Sequence, residues 1–254
     1  MTAGLTKTAR EVELMAESCS IVADVLRFLR PLVKPGVATI DLDRAAEEFI
    51  RSRGGEPAFK GYGTDRRNLF PASICSSVND EVVHGIPGPR RLDEGDIVSV
   101  DVGVKKDGYF GDGAWTFPVG AISAEKARLL RVTEEALMAG IARTVSGARV
   151  HDISAAIQQR VEADGYSVVR DLVGHGIGTR LHEEPAVPNF GSPGTGMLLE
   201  EGMTLAIEPM VNAGGYRVNV DRDGWTIRTA DGKPSAHFEH TVLVTSGAAR
   251  ILTA

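Results

Sequence analysis

An α+β fold made of two related halves is what the sequence predicts, and three observations carry the prediction. A phrase of two amphipathic helices near the N-terminus recurs 111 residues further on. Each helix pair is followed by sequence with strand-like, period-two character. No Pro/Ser-rich or low-complexity stretch separates the halves, so residues 1–254 are expected to form one pseudo-symmetric domain, with halves at about 8–119 and 120–254.

The first helix opens on a capping box, Thr8 with Glu11 three residues on. It places Met15, Cys19, Val22, Leu26, Leu29 and Val33 on one face, and Pro35-Gly36 stops it. The second turns Leu42, Ala45, Ala46, Phe49 and Ile50 inward and ends at Gly54-Gly55, where Arg51 and Arg53 suit the negative end of the helix dipole. In the second half Gly147, Asp152, Ile153, Ala156, Ile157, Val161 and Gly165 stand where Gly36, Asp41, Leu42, Ala45, Ala46, Ile50 and Gly54 stood, as a duplication would leave them. Strands are expected at Val98 to Val104, at Met203 to Glu208 and at Phe238 to Val244.

Composition narrows the function. The chain has 254 residues, 43% of them apolar, enough for a substantial core. Lys plus Arg is 28 against 34 Asp plus Glu, a net charge of −6, so a surface built to track DNA is not expected. The opening Met1-Thr2-Ala3-Gly4 runs into polar sequence, and no stretch approaches the roughly 18 apolar residues of a membrane span. A soluble, cytoplasmic, monomeric protein is the expectation. Cys19 and Cys75 are far apart and match no metal-ligand spacing, which argues against a disulfide framework and a zinc finger.

The chemistry starts in the first long strand. From Val98 to Val104 the valines share one face, and Ser99, Asp101 and Gly103 share the other. Lys105-Lys106-Asp107-Gly108 is a hairpin signal, and a two-residue loop at 106 and 107 would set Asp101 opposite Asp112. Two carboxylates across a ladder repel unless a cation lies between them or both face water. Glu208 and Glu239 add two more acids in predominantly apolar, strand-like sequence, where an unpaired carboxylate is costly. His175 sits in Gly174-His175-Gly176-Ile177-Gly178, whose small residues let a second group approach the ring. Four carboxylates and one imidazole suit two divalent ions about 3.5 to 4 Å apart. The same glycine-rich stretch is not a dinucleotide fingerprint, and His151 and His240 are expected to be structural or at the surface.

These segments resemble the type I methionine aminopeptidases of the short bacterial kind, which have the pita-bread fold. The resemblance runs through Phe70 to Cys75 and on to Val83-His84-Gly85-Ile86-Pro87, the Asp101 to Asp112 hairpin, Gly174 to Gly178, Ala206-Ile207-Glu208-Pro209-Met210 and Phe238-Glu239-His240-Thr241. It implies a curved antiparallel sheet between duplicated α/β halves. It also implies that Asp101, Asp112, His175, Glu208 and Glu239 hold two divalent ions, drawn from cobalt, manganese, iron or zinc, with Asp112 and Glu239 bridging. A water held between the ions would attack the scissile carbonyl, Glu208 would accept its proton, and His84 and His182 would contact the scissile amide, His182 at the oxyanion. Tyr62, Phe70, Cys75 and Trp225 match the positions that line the family's methionine pocket. The implied partners are nascent polypeptides that start with Met before a small residue, and the ribosome surface. The chain's own Met1-Thr2 start would qualify as a substrate. Thr64 to Leu69 looks like an insertion against the family pattern and is expected to form a mobile loop at the pocket rim.

Overall fold

Thr8 caps the first helix as its sequence requires: its hydroxyl accepts from the Glu11 amide while the Glu11 carboxylate accepts from the Thr8 amide. The computed structural model describes residues 5–254, so the Met1-Thr2 substrate expectation lies outside the described residues. Helix α1 (Ala9–Leu29) runs into a short 3-10 turn and is followed by α2 (Thr39–Ser52). The second pair is α3 (Ala124–Ile141) and α4 (Val150–Glu162).

The predicted repeat is visible in the backbone. Gly36 and Gly147 both take a positive φ, 86° and 89°, and donate to Leu92 and Leu199 respectively. Ala38 bridges Arg91 as Arg149 bridges Leu198, each just before its helix. Among the described residues the strands form four sheets, of four, three, three and five strands, and every ladder between their strands is antiparallel. One apolar cluster packs α1 and α2 on the valine face of Ile97–Lys106, with Val98, Val100, Val102 and Val104 all buried. A second packs α3 and α4 on Thr204–Ile207 and His240–Leu243. No helix among the described residues is long and apolar enough to cross a membrane.

The hairpin register differs from the expected one. Ile97–Lys106 pairs with Tyr109–Pro118 so that Lys106 faces Tyr109, Gly103 faces Asp112 and Asp101 faces Ala114. The two-residue loop is Asp107-Gly108, because those residues take the positive φ that the tight turn demands, 50° and 86°. The shift is two residues, so Asp101 and Asp112 stay on one face as diagonal rather than direct neighbours.

Two other boundaries differ. The strand expected to include Glu208 ends at Ile207, and the one expected from Phe238 to Val244 spans only His240–Leu243, with a separate strand Ser235–His237 before it. Glu208-Pro209 and Phe238-Glu239 are matching breaks, since His240 pairs with Ile207 on one side and His237 with Met210 on the other. Proline lacks the amide a continuous ladder needs, which interrupts the pairing at this point.

Candidate active site

At the Phe238-Glu239 break the second half meets the hairpin of the first. The Glu239 amide donates to the Ala114 carbonyl at 2.9 Å. Thr241 lies one step on: its hydroxyl donates to the Asp112 carbonyl at 2.7 Å and accepts from the Asp112 amide at 3.1 Å. On the other side the Thr116 hydroxyl donates to the His237 carbonyl at 2.7 Å and accepts from its amide at 2.9 Å. These alternate contacts fix Asp112 and Glu239 against each other.

His175 comes in from the strand Val173–Gly176, between Glu183–Pro188 and Thr204–Ile207. Its flanking glycines permit that close packing: a Cβ on Gly174 would sit 2.4 Å from the Ala206 carbonyl oxygen, and one on Gly176 would sit 2.0 Å from that of Glu184. The Nδ1 of His175 lies 2.9 Å from the Gly176 carbonyl, which can only accept, so Nδ1 carries the proton. That leaves the Nε2 lone pair facing carboxylates, 3.8 Å from Asp112 Oδ2 and 3.7 Å from Glu208 Oε1. One ligand atom from each of Asp112, His175 and Glu239 lie within 4.8 Å of one another.

The electrostatics of this cluster are adverse without a cation. Burial raises Asp101 to about 7. It raises Asp112 and Glu239 well above the carboxylate range, with help from the neighbouring acids, and does the same for Glu208 with the Asp101 charge adding to it. Burial lowers His175 to about 4, with His182 contributing, so its ring is neutral at physiological pH. Asp101 Oδ1 and Glu239 Oε1 are buried with no hydrogen-bond partner, a costly arrangement that coordination would relieve. Carboxylate oxygens and one neutral imidazole nitrogen form a donor set that fits divalent ions.

All eleven predicted site residues line one cavity of about 270 Å³. Asp101, Asp112, His175, Glu208 and Glu239 form one wall; Tyr62, Phe70, Cys75, His84, His182 and Trp225 form the rest. Cys75 faces Asp101 across the sheet, and both it and Cys19 are free thiols. Phe70 stands edge-on to Phe59 and Trp225, with ring centroids 6.5 and 5.3 Å away. His84 has a left-handed backbone, φ 59°, held by Gly85, whose amide donates to Ser77 Oγ and whose carbonyl accepts from the Ser76 amide. Burial lowers its pKa to about 4, with His182 adding to the effect.

Sequence reasoning missed a buried residue beside the acid cluster and some of the cavity's apolar lining. His237 is 1% exposed, neither ring nitrogen has a partner, and Nε2 lies 3.7 Å from Glu208 Oε2 and 3.9 Å from Glu239 Oε2. Its position two residues before Glu239 was the available signal. Phe59, Val83, Leu172, Val173, Leu181 and Met210 add to the apolar lining. Thr64 to Leu69 is exposed at the rim, and it is tied to the pocket: Asn68 Nδ2 donates to the Asp223 carbonyl, and Trp225 Nε1 donates to the Asn68 carbonyl. His151 bonds Thr195 and His240 bonds Thr253, both outside the cavity, as structural histidines would.

The chain is similar over nearly its whole length to known proteins. The family model described as Metallopeptidase family M24 matches residues 13–246. Methionine aminopeptidase of Clostridium perfringens is 52% identical over 250 residues, 98% of each chain. Methionine aminopeptidase 1 of Bacillus subtilis is 51% identical over 249 residues, again 98% of each. The crystal structure of methionine aminopeptidase from Thermotoga maritima matches with a TM-score of 0.94 at 47% identity, covering 98% of both chains. The chain has the pita-bread fold and belongs to metallopeptidase family M24, among the methionine aminopeptidases.

Proposed function

We propose that this protein removes the N-terminal methionine of polypeptides whose second residue is small. The observation that carries the reading is the convergence of an acid-rich, partnerless cluster and an apolar, aromatic and sulfur-lined slot on one cavity. Asp101, Asp112, His175, Glu208 and Glu239 would hold two divalent ions. When bound, the ions supply Lewis acidity, polarising the peptide carbonyl and easing loss of a proton from water.

The protein's own groups do the rest. Phe59, Phe70, Cys75 and Trp225 enclose the methionine side chain and exclude water from it. Glu208, beside the His175 imidazole, takes the proton from the attacking water and carries it to the leaving amine. His182 donates to the carbonyl oxygen as negative charge develops there, and His84 holds the scissile amide. The working partners are nascent chains in the cytoplasm, met at the ribosome surface by a monomeric, single-domain enzyme. Hydrolysis of Met-Ala, Met-Leu and Ala-Pro peptides, after reconstitution with cobalt, manganese, iron or zinc in turn, tests the reading. Met-Ala should be cleaved far faster than the other two; preference for Ala-Pro would assign the site to proline peptides instead.

A further inference from the structure

We propose that Tyr62 is a positioning residue for cleavage: its hydroxyl holds the His182 ring in the tautomer whose proton sits on Nε2, facing the peptide carbonyl. The inference rests on the reading of His182 as the carbonyl donor, and it gives Tyr62 a task beyond lining the slot.

The Tyr62 hydroxyl lies 2.6 Å from His182 Nδ1, a full hydrogen bond between residues 120 apart in sequence. Either atom can donate in principle. The phenol is the stronger acid and the imidazole nitrogen the stronger base, so the favoured direction is O–H to Nδ1. Nδ1 then carries no proton and Nε2 must carry it. The ring is also held from its other side, where His175 packs with a centroid distance of 4.2 Å.

The two neighbouring histidines therefore take opposite tautomers for opposite tasks. The Gly176 carbonyl forces the proton of His175 onto Nδ1 and leaves Nε2 as a lone pair among the carboxylates. Tyr62 forces the proton of His182 onto Nε2 and makes it a donor. A donor fixed before the substrate arrives needs no reorganisation as charge builds on the oxygen.

The hydroxyl is placed by backbone rather than by burial, since Tyr62 is 40% exposed. The Gly61 amide donates to the Phe70 carbonyl at 2.8 Å, the Tyr62 amide to Phe59 at 2.9 Å, and the Phe70 amide back to Tyr62 at 2.9 Å. These bonds close the loop at its neck and aim the ring at His182.

Tyr62→Phe removes the hydroxyl alone at a half-exposed rim position, so the fold and the apolar wall should survive. Nitrogen NMR of zinc-loaded protein, with labelled histidine, reads the tautomer without reference to activity. His182 should be Nε2-protonated in the native protein, and Tyr62→Phe should show a mixture of both tautomers. In parallel, kcat on a Met-Ala peptide should fall about 10-fold, with KM within about twofold. A native His182 protonated on Nδ1 would overturn the proposal, as would a raised KM with unchanged kcat, which is the signature of a residue that only lines the slot. Failure of the native enzyme on Met-Ala peptides would defeat the functional reading, while the His182 spectra would still decide the tautomer.

Discussion

Asp101 and Glu239 each bury a carboxylate oxygen that no donor reaches, and around them the chemistry of the site is decided. Their raised pKa values mean that the metal-free fold holds protons tightly there. Asp101, for one, moves from 3.8 to about 7. The metal-free native state is therefore penalised as pH rises from the unfolded value through the folded one, and a bound cation removes that penalty. The gain in Tm on adding a divalent ion should accordingly grow between about pH 5 and about pH 8; a gain that shrinks over this range would contradict the assignment. Glu208→Gln keeps the side chain's shape and removes the base. With metal content verified, turnover should fall at least about 100-fold, and retained turnover would remove Glu208 from the proton path. That Asp101 and Asp112 share one face was legible in the sequence, because period-two alternation fixes which face a strand residue takes and a register shift of two preserves it. The spacing of His237 two residues before Glu239 was visible in the sequence, whereas its approach to Glu208 was not, since that arises from the paired strand breaks.

At the scale of elements, the site depends on places where regular structure stops. The Glu208-Pro209 and Phe238-Glu239 breaks lie between strands that pair with each other, and Thr116 and Thr241 stitch the second break to the hairpin. Hydrophobic alternation alone does not reveal such breaks, because Ile207, Pro209 and Met210 at one and Phe238 at the other are all buried. The hairpin loop was misplaced by one residue at each end for a related reason. Pattern fixes parity, whereas the turn itself is fixed by which residues accept positive φ, here Asp107 and Gly108. The strand around His175 offers a direct test, because Gly176→Ala would drive a Cβ to 2.0 Å from the Glu184 carbonyl oxygen. It should cost on the order of 3 kcal/mol and weaken metal binding, measurable by denaturation and calorimetry; native-like affinity would show that the ring does not need this packing. Deleting Thr64 to Asn68 removes the bonds that Asn68 makes with the Asp223 and Trp225 turn, so KM for Met peptides should rise while metal affinity stays unchanged. An unaltered KM would make the loop neutral.

On the scale of the whole molecule, the duplication explains why the site exists where it does. Each half supplies a helix pair and a set of antiparallel strands, and the residues proposed as ligands come from both: Asp101 and Asp112 from the first, His175, Glu208 and Glu239 from the second. The repeat was legible because glycines with positive φ recur at Gly36 and Gly147 and again at Gly54 and Gly165. How the four sheets meet was not, since the joining bonds, such as Glu239 to Ala114, link residues far apart in sequence. The central claim is that filling this shared acid cluster turns on removal of methionine. It is tested most directly by titrating a divalent ion into chelator-treated protein, following heat of binding and release of methionine from a Met-Ala peptide in the same samples. Metal-free protein should be inert, activity should rise in step with occupancy of the site, and an Asp101→Asn, Glu239→Gln variant should neither bind nor cleave. Full activity after chelation, or a variant that cleaves without binding the ion, would contradict the central claim.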